Sequence, residues 1–230
     1  LGGRAPEAPL PFARRVSERL RHKHRPITPH DYEALVLEAF PSLYKVKCLN
    51  HTRLAAGMDR ELSPGSVTVV TVPNLIGRTG HNPLAPYTSQ ATLAAVADFL
   101  RPLVGPFVKV QVKNPTYEPI RLGFAVKFKP GHGDLALSIA RLKQEINAWL
   151  SPWAFEAGAD IVFGGAIHRS TLLHFVERRP YVDFVTDFRV THLGGATVAD
   201  EDSLVARTAR SILVSAGDHD ILPVPDKVSP

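Results

Sequence analysis

Ten histidines, one cysteine (Cys48) and an Asp218-His219-Asp220 triplet are the residues with the most reactive chemistry. Histidine beside carboxylates can hold a divalent cation or pass protons. The spacing argues against both. His22 and His24 stand two apart on an expected helix, which aims them at different faces. No HExxH and no CxxC occurs, and Cys48 falls on the inward side of an alternating strand. Asp218-His219-Asp220 therefore reads first as a polar turn between two short strands, and second as a metal or hydrolase site. Gly131-His132-Gly133-Asp134 precedes a helix, but it lacks GxxxxGK[ST] and GxGxxG, and Asp134 would repel an anion there. Phe163-Gly164-Gly165 reads as a tight turn. Ser151-Pro152-Trp153 is no nucleophile elbow, because GxSxG is absent. No nucleophile, base and orienting group assemble, so no enzymatic activity, cofactor or metal is expected.

Charge is the more informative signal. Seven Arg and Lys residues fall within 1–27 against Glu7 and Glu18, while the other 203 residues are neutral overall. The net charge of +5 thus belongs to an arm and not to a folded body. A basic arm seeks phosphates or an acidic protein surface. Phe12 is its only aromatic, so base stacking has no platform, and a protein partner is expected ahead of nucleic acid. No run reaches the roughly 18 apolar residues of a membrane span, and no membrane insertion is expected. A single cysteine excludes an internal disulfide. The chain opens on Leu1, and a longer protein is expected.

The positioning elements follow from periodicity. Gly2 to Pro11 reads as an extended linker and Arg14 to Lys23 as a short basic helix anchored by Val16 and Leu20. Thr28, Pro29 and Asp31 form an N-cap, a first-turn proline and a capping-box acid. Behind them Tyr32, Leu35, Val36, Ala39 and Phe40 make one helical stripe. Tyr44, Val46 and Cys48 alternate with Lys45 and Lys47 as a half-buried strand, and Ser66 to Val72 reads as a central strand. Thr88 or Ser89 caps a helix with Leu93, Val96, Ala97 and Leu100 inward.

Phe107 to Lys113 alternates, and Ile120, Leu122, Phe124, Val126 and Phe128 follow with strict period two. Asp134 caps a helix whose stripe is Leu135, Ile139, Leu142, Ile146 and Trp149. A short strand at Ile161-Val162-Phe163, a helix from Ser170 to Arg178 and a strand over Tyr181–Val190 come next. In that strand Val182, Phe184, Thr186, Phe188 and Val190 share a face. Ile212-Leu213-Val214 is the last expected strand. The fold class is α+β: two small mixed-sheet subdomains covered by helices, an N-terminal basic arm and a C-terminal strand-containing tail. The expected boundaries are 1–27 for the arm, 28–115 and 116–200 for the subdomains, and 201–230 for the tail.

Several stretches together resemble a known family. They run from Ser17-Glu18-Arg19-Leu20-Arg21-His22-Lys23 through Arg25-Pro26-Ile27-Thr28-Pro29-His30-Asp31-Tyr32-Glu33 to Lys45-Val46-Lys47-Cys48-Leu49-Asn50. Asn114-Pro115-Thr116-Tyr117 before a long strand, Trp149-Leu150-Ser151-Pro152-Trp153 and Ile161-Val162-Phe163-Gly164-Gly165 continue the series. Their order resembles the C-terminal part of baseplate J-like wedge proteins of contractile phage tails. The Leu-Ser-Pro-Trp and Phe-Gly-Gly pieces look most like those of extracellular contractile injection systems. The resemblance spans about Ser17 to Ile221, and the family's proteins are usually longer.

It implies a structural, non-enzymatic subunit of a hetero-oligomeric ring, assembled in the bacterial cytoplasm and carried in the baseplate of a phage-tail-like particle. The implied partners are a second wedge protein, the hub or spike, and sheath-proximal proteins. Arg19, Arg21, Lys23 and Arg25 are the expected contact residues, with Trp153 and Tyr117 as packing anchors. The alternative is a nucleic-acid-binding module that uses the basic arm.

Overall fold

The structure is a computed structural model that describes residues 8–55, 57–75, 82–131, 134–156, 159–193, 198–199 and 202–224. Side chains of Pro11, Arg14, Glu18, Arg19, Val198 and Ala199 lie outside that description. It is an α+β protein with two compact units. One comprises Leu1–Asn74 with Tyr87–Asn114, and the other Leu75–Pro86 with Pro115–Pro230.

The first unit begins with α1 (Pro9–His22), which starts earlier than the linker reading of Gly2 to Pro11 allowed. A proline near a helix start forfeits no intrahelical bond, so Pro9 and Pro11 do not prevent it. Then comes α2 (Pro29–Ala39), with the expected capping box on Thr28 and Asp31. Its buried face is Tyr32, Leu35 and Val36, whereas Ala39 is exposed. Three strands follow in the order β1–β4–β5: β1 (Leu43–Asn50), β4 (Ser66–Pro73) and β5 (Lys109–Lys113).

All eight residues of β4 are buried, because β1 flanks it antiparallel and β5 parallel. Its β-branched residues suit that two-sided burial. In the connection at 52–65, β2 (Arg53–Ala55) and β3 (Met58–Arg60) pair antiparallel. Before β5 comes α3 (Gln90–Leu100), capped by Ser89. The Thr88 hydroxyl is spent elsewhere, donating to the Thr71 carbonyl at 3.2 Å, while its backbone exchanges bonds of 2.8 and 3.0 Å with the Asn114 amide. Tyr32, Val36, Val46, Cys48, Val69, Leu93, Val96, Leu100 and Val112 make the core. Burial pushes the Cys48 thiol up to about 12, so it is inert packing.

The second unit is organised on β6 (Thr116–Phe128), whose Ile120, Leu122, Phe124 and Val126 are all buried. On one side β6 pairs antiparallel with β8 (Val182–His192), which carries the short β9 (Val198–Ala199). On the other side two strands share it. β11 (Ser211–Ser215) runs parallel to Thr116–Ile120, and β12 (Asp220–Pro223) runs parallel to Gly123–Val126. The C-terminal strands are therefore part of the sheet. The core joins this sheet to α4 (Leu135–Leu150), α5 (Arg169–Glu177) and Leu204 of β10 (Ser203–Val205). β10 pairs with β7 (Ala166–His168).

Three expectations need correction. Ile161-Val162-Phe163 is not a strand, and the strand β7 begins at Ala166. Gly164 adopts φ +61°, where a Cβ would stand 3.3 Å from the Ala209 Cα, so the chain turns and the ladder starts beyond it. The single inward face of Tyr181–Val190 also fails. Asp187 takes φ +53°, and two residues there oppose Phe124 alone. That bulge, with a second at Asp183, turns Val185 inward and leaves Phe184 and Thr186 exposed. Finally, Leu135 is exposed; the buried positions of α4 are Ser138, Leu142, Ile146 and Leu150. The Gly131-His132-Gly133 stretch falls partly outside the described residues.

Candidate functional site

The arm meets the first unit at the capping box of α2. Asp31 Oδ2 accepts from Thr28 N at 2.7 Å and Ile27 N at 3.0 Å, while Oδ1 lies 2.8 Å from His22 Nδ1. Burial opposes ionisation of Asp31, but the Thr28 and Ile27 amides and His22 outweigh it and hold the carboxyl below its usual range. One side chain thus caps α2 and ties down the last residue of α1. Between the two, Lys23 and His24 both take left-handed backbone, with φ +49° and +60°. That conformation costs a non-glycine residue roughly 1–2 kcal/mol, so the sharp reversal depends on the His22–Asp31 contact. Arg21, Lys23 and Arg25 are exposed around this turn, and Arg25 borders a cleft of about 90 Å³ with His22, Asp31 and Leu35. Arg19 sits on α1 with its side chain outside the described residues.

Tyr117 and Trp153 come together on a different feature. Tyr117 Oη donates to the Pro86 carbonyl at 2.6 Å, and Trp153 Nε1 donates to the Pro83 carbonyl at 3.2 Å. Both therefore hold the 82–86 segment on the second unit. Trp153 stands in the 3-10 turn Pro152–Ala154, beside a cleft of about 170 Å³ lined by Trp149, Val162, Ile167 and Ile212.

The Asp218-His219-Asp220 triplet has a structural task. β11 leaves β6 after Ile120 and β12 joins it only at Gly123, so Leu122 falls in the gap between two ladders. His219, 1% exposed, fills that gap: its Nδ1 accepts the Leu122 N–H at 3.2 Å. The proton must then sit on Nε2, which lies 3.1 Å from Asn147 Oδ1 and 3.2 Å from Ser215 Oγ. Locked in this tautomer, His219 cannot serve as a base toward Ser215. Burial above all pushes it down to about 4, so it is neutral at neutral pH.

A polar stripe on α4 reads the same turn. Lys143 Nζ donates to Asp218 Oδ1 at 2.6 Å, Asn147 Nδ2 to the Gly217 carbonyl at 3.0 Å, and the α4 C-cap Ser151 Oγ accepts from Ser215 N at 3.2 Å. Ser215 Oγ also bonds Asn147 Oδ1. The i, i+4, i+8 spacing of Lys143, Asn147 and Ser151 was the available sequence signal for this contact. Among the described residues no three His, Cys, Asp or Glu side chains gather as a metal site.

A second buried polar pair went unnoticed in sequence. Glu118 and His192, 3% and 5% exposed by side chain, face each other across β6 and β8 at 2.8 Å. His192 Nε2 makes no hydrogen bond along that contact. The Glu118 carboxylate also accepts the Arg207 N–H at 3.1 and 3.3 Å.

These arrangements brace the chain against itself. No described helix is long and apolar enough to cross a membrane. Comparison with curated proteins finds no match. Among solved structures, a chain of the cryo-EM structure of the anti-feeding prophage baseplate, sixfold symmetrised, superposes with a TM-score of 0.66. The two are 19% identical over 94% of this chain, a likeness of fold. This chain spans 43% of the length of that one. The model of the family described as baseplate protein PVC11-like matches residues 1–216, and the chain belongs to that family.

Proposed function

We propose that the chain is a structural wedge component of the baseplate of a phage-tail-like contractile injection particle. In that role it links the hub or spike, neighbouring wedges and the sheath-proximal proteins, and it relays the contraction trigger. Membership of the baseplate family carries the reading, and the fold shared with a solved baseplate chain supports it. The chemistry is compatible. The most suggestive catalytic triplet is consumed in closing a gap in the sheet, and the excess charge sits on an arm with exposed Arg21, Lys23 and Arg25. Arg19 is assigned to the same contact surface. Tyr117 and Trp153 act by holding the 82–86 segment in a fixed place for a neighbour. Particles made by cells with and without the chain provide the test. Without it, electron microscopy should show no complete baseplates and no contractile particles; intact particles that still contract would overturn the proposal.

A further inference from the structure

A 14-residue helix is barely stable alone in water, and it needs its apolar side buried. α1 covers only the middle of that side within its own chain, where Val16 is half-buried. Among the described residues it packs extensively on no other helix or strand. The His22–Asp31 contact ties down its last residue, and Arg15 shares a cleft with Ala34, Leu35 and Glu38 of α2. Phe12, Val16 and Leu20 recur every fourth residue, yet Phe12 is 51% exposed and Leu20 77%. Around this line the sequence places Arg14, Arg15, Arg19 and Arg21, then Lys23 and Arg25, with Glu18 the lone acid from Pro9 to Arg25. The Arg15 guanidinium lies 5.5 Å from the Phe12 ring centroid, so cation and apolar anchor adjoin.

We infer that α1 docks lengthwise into an apolar groove with an acidic rim on another subunit of the baseplate; this rests on the function proposed above. The apolar anchors and the cations beside them describe the partner. Phe12, Val16 and Leu20 fit a groove as i, i+4 and i+8 anchors, and Leu10, 73% exposed, adds a further apolar side chain near the helix start. Nucleic acid would leave Phe12 and Leu20 without a use. The cations on both sides of the line require carboxylates along the groove's two edges. The reversal at Lys23 and His24, fixed by Asp31, sets the direction in which the helix leaves the first unit, and so presets its register on the partner.

The test uses the full chain co-expressed with the other baseplate subunits of its particle. Phe12→Asp with Leu20→Asp changes two exposed side chains and should leave the melting temperature of the free chain unaltered. Its amount in purified baseplates should fall at least about tenfold. Arg21→Glu with Lys23→Glu should lower it less, and raised salt should mimic that loss. Amides of 12–22 should exchange quickly in the free chain and be protected in the baseplate. Entry of Phe12→Asp/Leu20→Asp at the wild-type level, or equal exchange in both states, would overturn the inference and leave the baseplate reading standing. Absence of the wild-type chain from baseplates would sink both. Binding of vesicles of equal phosphatidylglycerol and phosphatidylcholine, or of a DNA duplex, that is lost in the variants while baseplate entry persists would reassign the helix and overturn the inference.

Discussion

His219→Ala should cost about 3 kcal/mol at pH 7.5, because it opens a cavity and leaves the buried Leu122 N–H without an acceptor. The same histidine should dominate the acid limb of stability. Its folded value near 4 lies below the ordinary 6.5, so the unfolded chain binds the extra proton first. Stability from this group is complete above about pH 6.5 and is lost as the pH falls toward 4. A gap of that size corresponds to roughly 3 kcal/mol. His219→Asn separates the two effects: its Oδ1 takes the place of Nδ1 and still accepts from Leu122, but it does not titrate. Urea unfolding at pH 7.5, 6.0, 5.0 and 4.5 should give His219→Asn a stability between wild type and His219→Ala at neutral pH. Its curve should be flatter below pH 6.5. An acid slope equal to that of wild type would show that His219 is not the titrating group.

Glu118→Ala should be comparably severe. The substitution strips the Arg207 N–H of both its acceptors and leaves His192 facing an empty space in a closed core. Removing one partner from a buried pair costs about 3–5 kcal/mol, more than the pair contributes as a whole. The double variant Glu118→Ala/His192→Phe should therefore lose less than the sum of its single changes, by at least about 1 kcal/mol in chemical unfolding. Strict additivity would mean that the two side chains do not sense each other across the strands.

Much of this fold was readable because local patterns and tertiary burial agree. The β-branched run of β4 is buried on both faces, and the period-two residues of β6 form the inner face of the second sheet. Thr28 and Asp31 announced their helix through bonding chemistry that needs only four consecutive residues. The parallel attachment of β11 and β12 was hidden, because pairing between strands some ninety residues apart leaves no local trace. That gap also concealed His219: a charged-looking Asp-His-Asp turn resembles a surface loop until two ladders are seen to part at Leu122. Asp187 misled the reading of β8 for a related reason. Aspartate tolerates left-handed backbone, and one such residue shifts the inward alternation of every neighbour before the next bulge. The proposed contact surface was legible only as charge on residues 1–27; the exposure of Phe12 and Leu20 required the helix to be placed.

The central claim is that these two units and their arm act by holding surfaces against other subunits. The most direct measurement is electron cryomicroscopy of the intact particle with the chain tagged at its C-terminus. The expected result is density for both units in the baseplate, with α1 enclosed by a neighbouring protein. Tagged chain found free of the particle, or bound elsewhere along it, would contradict the claim.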